Sequence, residues 1–204
     1  MKKSKSIYIV FAIVAFIIIG FIVYFYVSNT TSNNQQNYSI QRTSIEKIMP
    51  PKETEISSFS TEILDDSEGR LNNIKITCDK ISGTIIDPGK EFSFNTIVGQ
   101  PTKEDGYEEA AIIVNHHREE GIGGGNCQVS STLYNAVLTA GGLTVTERHE
   151  HGEEVGYLPL GKDATVSYGS SLDFKFKNDN NYKIKIAVSS DNKNITAKIY
   201  KVEE

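Results

Sequence analysis

Cysteine is scarce in this 204-residue chain, which contains only Cys78 and Cys127. Two are too few for the disulfide framework of a small secreted scaffold, and one Cys78 to Cys127 bridge is the most they can form. Positive charge is also sparse where a polyanion would need it. Of 21 Lys and Arg, three (Lys2, Lys3 and Lys5) precede the first apolar run, leaving 18 against 26 Asp and Glu, or 18 − 26 = −8. That balance excludes a nucleic-acid partner, whose phosphates demand a basic surface, and it suits no anionic lipid face. Neither H-E-x-x-H nor paired C-x-x-C spacing occurs, so no metal site is read, and no internal repeat is visible.

Long apolar runs are missing too, with one exception. Ile7 to Val27 is 21 residues without a charge, enough at about 1.5 Å per residue to cross a hydrocarbon core of about 30 Å. Lysines precede it and no basic cluster follows, so the positive-inside rule leaves the N-terminus in the cytoplasm. "YFYVSNT" lacks an A-x-A-like cleavage site, which favours an uncleaved single-pass anchor in the cell membrane over a signal peptide. The expected organisation is a cytoplasmic tail (1–6), a transmembrane anchor (7–27), a flexible polar stalk (28–62) containing Pro50 and Pro51, and an extracytoplasmic domain (63–204).

Inside that domain Leu71, Ile74, Cys78 and Ile81 recur at helical spacing, and Gly83 stops the helix. Cys78 on this stripe reads as a small buried hydrophobe. "GTIIDPGKEFSFN" and "YEEAAIIVNHH" read as strands between turn signals. "DATVSYG", "LDFKFKN", "YKIKIAVSS" and "NITAKIYKV" alternate at period two. The fold class expected is α+β: one compact domain with a cysteine-bearing helix packed on a mainly antiparallel sheet.

That second helix is the informative one. In "GIGGGNCQVSSTLYNAVLTAGG", Val129, Leu133, Ala136, Val137 and Ala140 share a helical face and Gly141-Gly142 ends it. Asn126 is then the expected N-cap and Cys127 the first helical residue. The helix end stabilises a thiolate, and the glycines leave backbone N–H groups free to face a developing oxyanion. This pattern suits acyl transfer. A glycine-rich turn before a merely buried or bridged cysteine is the plainer alternative.

A nucleophile needs a base. Run straight, "LTVTERHEH" puts Leu143, Val145, Glu147, His149 and His151 on one face of a strand. His149 is the expected base and His151 the second candidate, because Gly152 permits the chain to turn away there. Asp163 is the candidate that fixes the imidazole tautomer. His116 and His117, beside Arg118, read as surface residues.

Three stretches, "PGKEFSFNTIVGQPTKEDGYEEA", "GIGGGNCQVSSTLYNAVLTAGG" and "ERHEHGEEVGYLPLGKDATVSYGSSLDFKFKN", resemble the VanW domain over about residues 69–190. Asn126 departs from the apolar residue usual before that cysteine. The family takes its name from a glycopeptide-resistance cluster, and some members are understood to act as L,D-transpeptidases that cross-link peptidoglycan through this cysteine. The resemblance implies Cys127 as nucleophile, His149 as base and the backbone of Gly124 to Cys127 around the oxyanion. Gly123, Gly124, Gly125, Asn126, Gln128, Ser130, Ser131, Arg148 and Tyr168 are the candidate substrate contacts. The partners implied are peptidoglycan stem peptides, and no cofactor is required. A non-catalytic accessory or wall-binding module linked to vancomycin resistance, and a cysteine peptidase or amidase of the wall, are the rival functions.

Overall fold

The computed structural model describes residues 3–46, 51–114 and 117–203. The chain divides into two units, Met1–Pro50 and Pro51–Glu204. In the first, helix α1 spans Lys3–Glu46. Its segment Phe16–Arg42 is long and apolar enough to cross a membrane. The helix therefore continues through residues 28–46, where a flexible stalk was expected. No glycine or proline occurs between Gly20 and Pro50 to interrupt it. The hydroxyls of Thr30 and Thr31 donate back to the carbonyls of Tyr26 and Val27, at 2.7 and 2.9 Å.

The second unit opens with strand β1, Lys52–Glu62, which composition had assigned to the stalk. It pairs antiparallel with β9, Asn194–Glu203, from Lys52 opposite Glu203 to Glu62 opposite Asn194. Its inward residues are partly polar, so no apolar alternation marks it as a strand. Ser57 and Thr61 are buried. Their hydroxyls are satisfied on the neighbouring helix, Ser57 donating to the Ala136 carbonyl at 2.6 Å and Thr61 bonding Thr132 at 2.8 Å. A hydrogen-bond partner offsets the desolvation cost of a buried hydroxyl, which lets polar residues face a core.

The remaining elements follow in order: α2 (Glu68–Ile81), β2 (Ile85–Ile86), β3 (Glu91–Ser93), α3 (Phe94–Val98), β4 (Glu109–Val114), β5 (His117–Ile122), α4 (Asn126–Ala140), β6 (Leu143–Glu147), β7 (Lys175–Asn178) and β8 (Lys183–Ser190). Among the described residues, all strand pairs are antiparallel and build three sheets, ordered β1-β9-β8-β2, β3-β7-β6 and β4-β5. The chain is thus α+β. "DATVSYG" contributes no named strand; it makes an isolated bridge between Ser167 and Leu172.

Helix α4 packs against β1 and β9, and α2 packs against β8 and α4. Ile74, Cys78 and Ile81 of α2 meet Val129, Leu133 and Ala136 of α4 and Ile184, Ile186, Ile195 and Ile199 of the sheet in one apolar core. An aromatic group of Phe92, Phe174, Phe176 and Tyr134 continues it toward β3 and β7. Both helices are held at the end where α4 begins, and that end carries the candidate site.

Candidate active site

Gly125, not Asn126, caps α4. Its φ is 113°, in the left-handed region that disfavours a side chain, and a Cβ there would lie 2.7 Å from Ile74 Cγ1. The cap is therefore pressed directly onto α2. Asn126 is unavailable as a cap because its side-chain Oδ1 accepts from buried Thr77 Oγ1 at 2.6 Å, and Thr77 bonds Tyr107 Oη at 3.0 Å. Hydrogen bonding to α2 absorbs the asparagine that stands where the resemblance has an apolar residue.

Cys127 follows in the first turn, half-buried, and both cysteines are free. Its own backbone N–H donates to no protein acceptor among the described residues, since the first turn bonds through Gln128 and Val129 to the Gly125 carbonyl. The thiol donates to the Val166 carbonyl at 3.4 Å and accepts from Thr165 Oγ1 at 3.8 Å.

The imidazole that meets the thiol belongs to His151, where His149 was expected. Strand β6 ends at Glu147, with a bulge between Val145 and Glu147, so strand alternation no longer decides where residues 148–151 point. His149 stays on the polar face with Glu147, its Nε2 3.0 Å from Glu147 Oε1 and its side chain 38% exposed. Glu147 also pairs with Lys175 at 2.8 Å, and these partners hold its carboxyl near pKa 2. His151 is instead drawn inward, with a side chain 6% exposed. Its Nδ1–H donates to Asp163 Oδ2 at 2.6 Å and its backbone N–H to the same oxygen at 2.7 Å. That pairing leaves Nε2 as the nitrogen for the thiol.

Electrostatics couple the three groups. Burial alone would raise the Cys127 thiol, but hydrogen bonding and charge from His151, with the Thr165 hydroxyl, outweigh it and bring the thiol below its ordinary range. Burial would likewise lower His151, yet Cys127 and Asp163 together raise it. Both directions favour a thiolate beside an imidazolium. Cys78 is the contrast: buried among apolar residues, its thiol is pushed up to about 12.

The other candidates separate into two groups. Gly123, Gly124, Gly125, Asn126, Gln128 and Tyr168 line the same cavity as Cys127 and His151, about 420 Å³ in volume. Ser130, Ser131 and Arg148 lie behind it, where they support the site instead of facing the cavity. The Ser130 hydroxyl donates to the Ala164 carbonyl, and Ser131 Oγ accepts from Ala164 N at 2.8 Å while donating to the Cys127 carbonyl at 2.6 Å. These bonds fasten the loop carrying Asp163 to the first turns of α4. Arg148 donates to Asp163 through Nε to the carbonyl (2.7 Å) and through an η nitrogen to Oδ1 (3.3 Å), with its guanidinium over the Tyr134 ring. His116 lies outside the described residues, and His117 is described only as the first residue of β5.

Of the lining residues that the sequence did not single out, two carry ionisable groups. Tyr157 sits in a loop without periodicity; burial, with the nearby Cys127 charge, raises its phenol. Arg70 occupies the first turn of α2, four residues before Ile74. A cation in line with an apolar stripe was the signal available for it.

The family model described as VanW like protein matches residues 69–200. The uncharacterized protein YoaR of Bacillus subtilis (strain 168) is 42% identical over 132 residues, covering 65% of this chain and 43% of that protein. The Vancomycin B-type resistance protein VanW of Enterococcus faecalis (strain ATCC 700802 / V583) is 30% identical over 138 residues, covering 65% and 50%. The chain thus spans half or less of the length of these curated relatives. No solved structure matches it.

Proposed function

The chain belongs to the VanW-like protein family, and on that footing we propose that it is a cysteine acyltransferase of the bacterial wall, an L,D-transpeptidase acting on peptidoglycan stem peptides. One observation carries the reading: a thiol at the start of α4 meets a buried imidazole, itself held by a carboxylate, at the edge of a cavity large enough for a peptide end. The link of a relative's name to vancomycin resistance is consistent with a wall substrate. The lysines before the apolar helix support a wall-side position for residues 51–204.

The reaction has two halves. Cys127 thiolate attacks the carbonyl carbon joining the third stem residue to the terminal D-alanine, and the oxyanion forms beside the Cys127 N–H. His151, as imidazolium, gives its Nε2 proton to the departing amine, so D-alanine leaves and a thioester remains. The amine of a second stem then attacks the thioester and loses its proton to His151, which releases the cross-linked product and restores the thiolate. Asp163 keeps the proton on Nδ1 throughout. Arg148, Ser130 and Ser131 hold Asp163 and its loop in place.

The test is intact-mass spectrometry of the full chain in detergent with a tetrapeptide-bearing muropeptide. The expected adduct is the stem minus D-alanine on wild type, with none on Cys127→Ala. Cross-linked dimer among the products supports transfer, whereas free tripeptide product alone would reassign the chain as a hydrolase. Unmodified protein with unchanged muropeptide would overturn the enzymatic reading in favour of an accessory role.

A further inference from the structure

The lining of the Cys127 cavity has a charge opposite to that of the chain around it. The sequence has 26 Asp and Glu against 21 Lys and Arg, yet none of the described residues lining the cavity is a carboxylate, and two of them, Arg70 and His151, are basic. His151 is already engaged with Asp163. Arg70 makes no ion pair among the described residues.

Its side chain is nonetheless fixed. One η nitrogen of Arg70 donates to Gln128 Oε1 at 2.7 Å. Gln128 is 1% exposed and is anchored in turn, its Nε2 donating to Thr61 Oγ1 at 3.2 Å and the Glu62 carbonyl at 2.8 Å. Arg70 Nε–H is buried and has no acceptor. A guanidinium has five donors in a planar fork, and a buried charged donor without a partner is costly enough that native structures rarely keep one. The Arg70 backbone borders Gly125, its carbonyl 3.5 Å from where a Cβ would stand. Arg70 and Cys127 line the same cavity at the start of α4.

We propose that Arg70 docks a carboxylate of the acyl donor, so that the cavity takes peptides ending in a free carboxylate next to the scissile amide and rejects internal or C-terminally amidated peptides. Fork geometry matches a carboxylate in bidentate fashion. On the mechanism above, that carboxylate belongs to the departing D-alanine, and the assignment rests on that reading for the identity of the peptide. Recognition of the terminal charge would make the enzyme act on chain ends.

The experiment measures protection of Cys127 against iodoacetamide in the full chain, using a stem tetrapeptide and its C-terminal amide. Wild type should be protected by the free acid at a concentration at least about tenfold lower than by the amide, as expected for a charge-assisted pair. In Arg70→Gln that gap should close to within about twofold, and Arg70→Lys, which keeps the charge but loses the fork, should fall between. Equal protection by acid and amide in wild type, or an undiminished gap in Arg70→Gln, overturns the assignment. The wild-type comparison stands even if a variant fails to fold. Protection needs no acyl transfer, so a clear gap without any acyl adduct would support Arg70 as the carboxylate dock while removing the transpeptidase reading.

Discussion

His151 gives both its backbone N–H and its Nδ1–H to one oxygen of Asp163, at 2.7 and 2.6 Å. Two donors from one residue on one acceptor set the position of the ring and its tautomer together. The other carboxylate oxygen is left to Arg148 at 3.3 Å. The base of the proposed mechanism is therefore oriented by its own main chain as well as by its side chain.

His151→Ala should raise the pH at which Cys127 alkylates and slow acylation by roughly 10² to 10⁴, the range of general acid–base catalysis. His149→Ala should change neither by more than about twofold, because that ring is paired with Glu147 on the polar face. Alkylation profiles followed by peptide mass spectrometry check this. A larger effect from His149→Ala would return the base to the residue favoured by strand periodicity.

Asp163→Asn should slow acylation by about 10² or more, since an amide no longer demands the Nδ1–H tautomer. It should also alter stability with pH. Burial would raise the Asp163 carboxyl, but the His151 backbone and ring donors hold it below its usual range. A depressed carboxyl contributes stability above its unfolded pKa and loses it as pH falls through the folded value. The thermal stability gap between wild type and Asp163→Asn should thus shrink on acidification below the ordinary carboxylate range. A gap independent of pH between 3 and 7 (about four pH units, spanning that range) would show that Asp163 acts through packing alone.

Gly125→Ala should destabilise the fold by about 2 to 3 kcal/mol, combining strain at positive φ with a clash on Ile74. Gly83→Ala is the control: its φ is +90° but a Cβ meets nothing within 4 Å, so about 1 kcal/mol of backbone strain is the expected loss. Urea unfolding of the two variants measures the difference, and equal losses would remove the packing argument for the α4 cap.

A chain beginning at residue 63 should have a lower urea midpoint than one beginning at residue 51, and a stronger tendency to associate. Without β1, the backbone edge of β9 is exposed and the Thr61 bond to Thr132 is lost. Equal midpoints by circular dichroism would make β1 an appendage.

What was legible in the sequence is tied to local periodicity. The spacing of Ile74, Cys78 and Ile81 marks α2, that of Val129, Leu133, Ala136 and Val137 marks the inward face of α4, and alternation marks β8 and β9. Each pattern repeats because one face of the element is apolar, which is a property of neighbouring residues alone. Strand β1 lacks that signal because Ser57 and Thr61 face inward and are satisfied by helix α4, 71 and 79 residues away in the chain.

The choice of histidine depended on tertiary structure for the same reason. Alternation carries information only as long as the strand lasts, and β6 ends at Glu147. Beyond it, long-range partners decide: Glu147 and its Lys175 neighbour hold His149 outside, while Asp163, fastened to α4 through Ser131 and Ala164, draws His151 in. The sequence by itself determined that a cysteine would stand at the start of a helix behind a glycine turn, because capping and spacing are local. Which imidazole meets it, and that Arg70 from another helix opens on the same cavity, follow from hydrogen bonds between distant segments, whose energies exist only once the chain has folded.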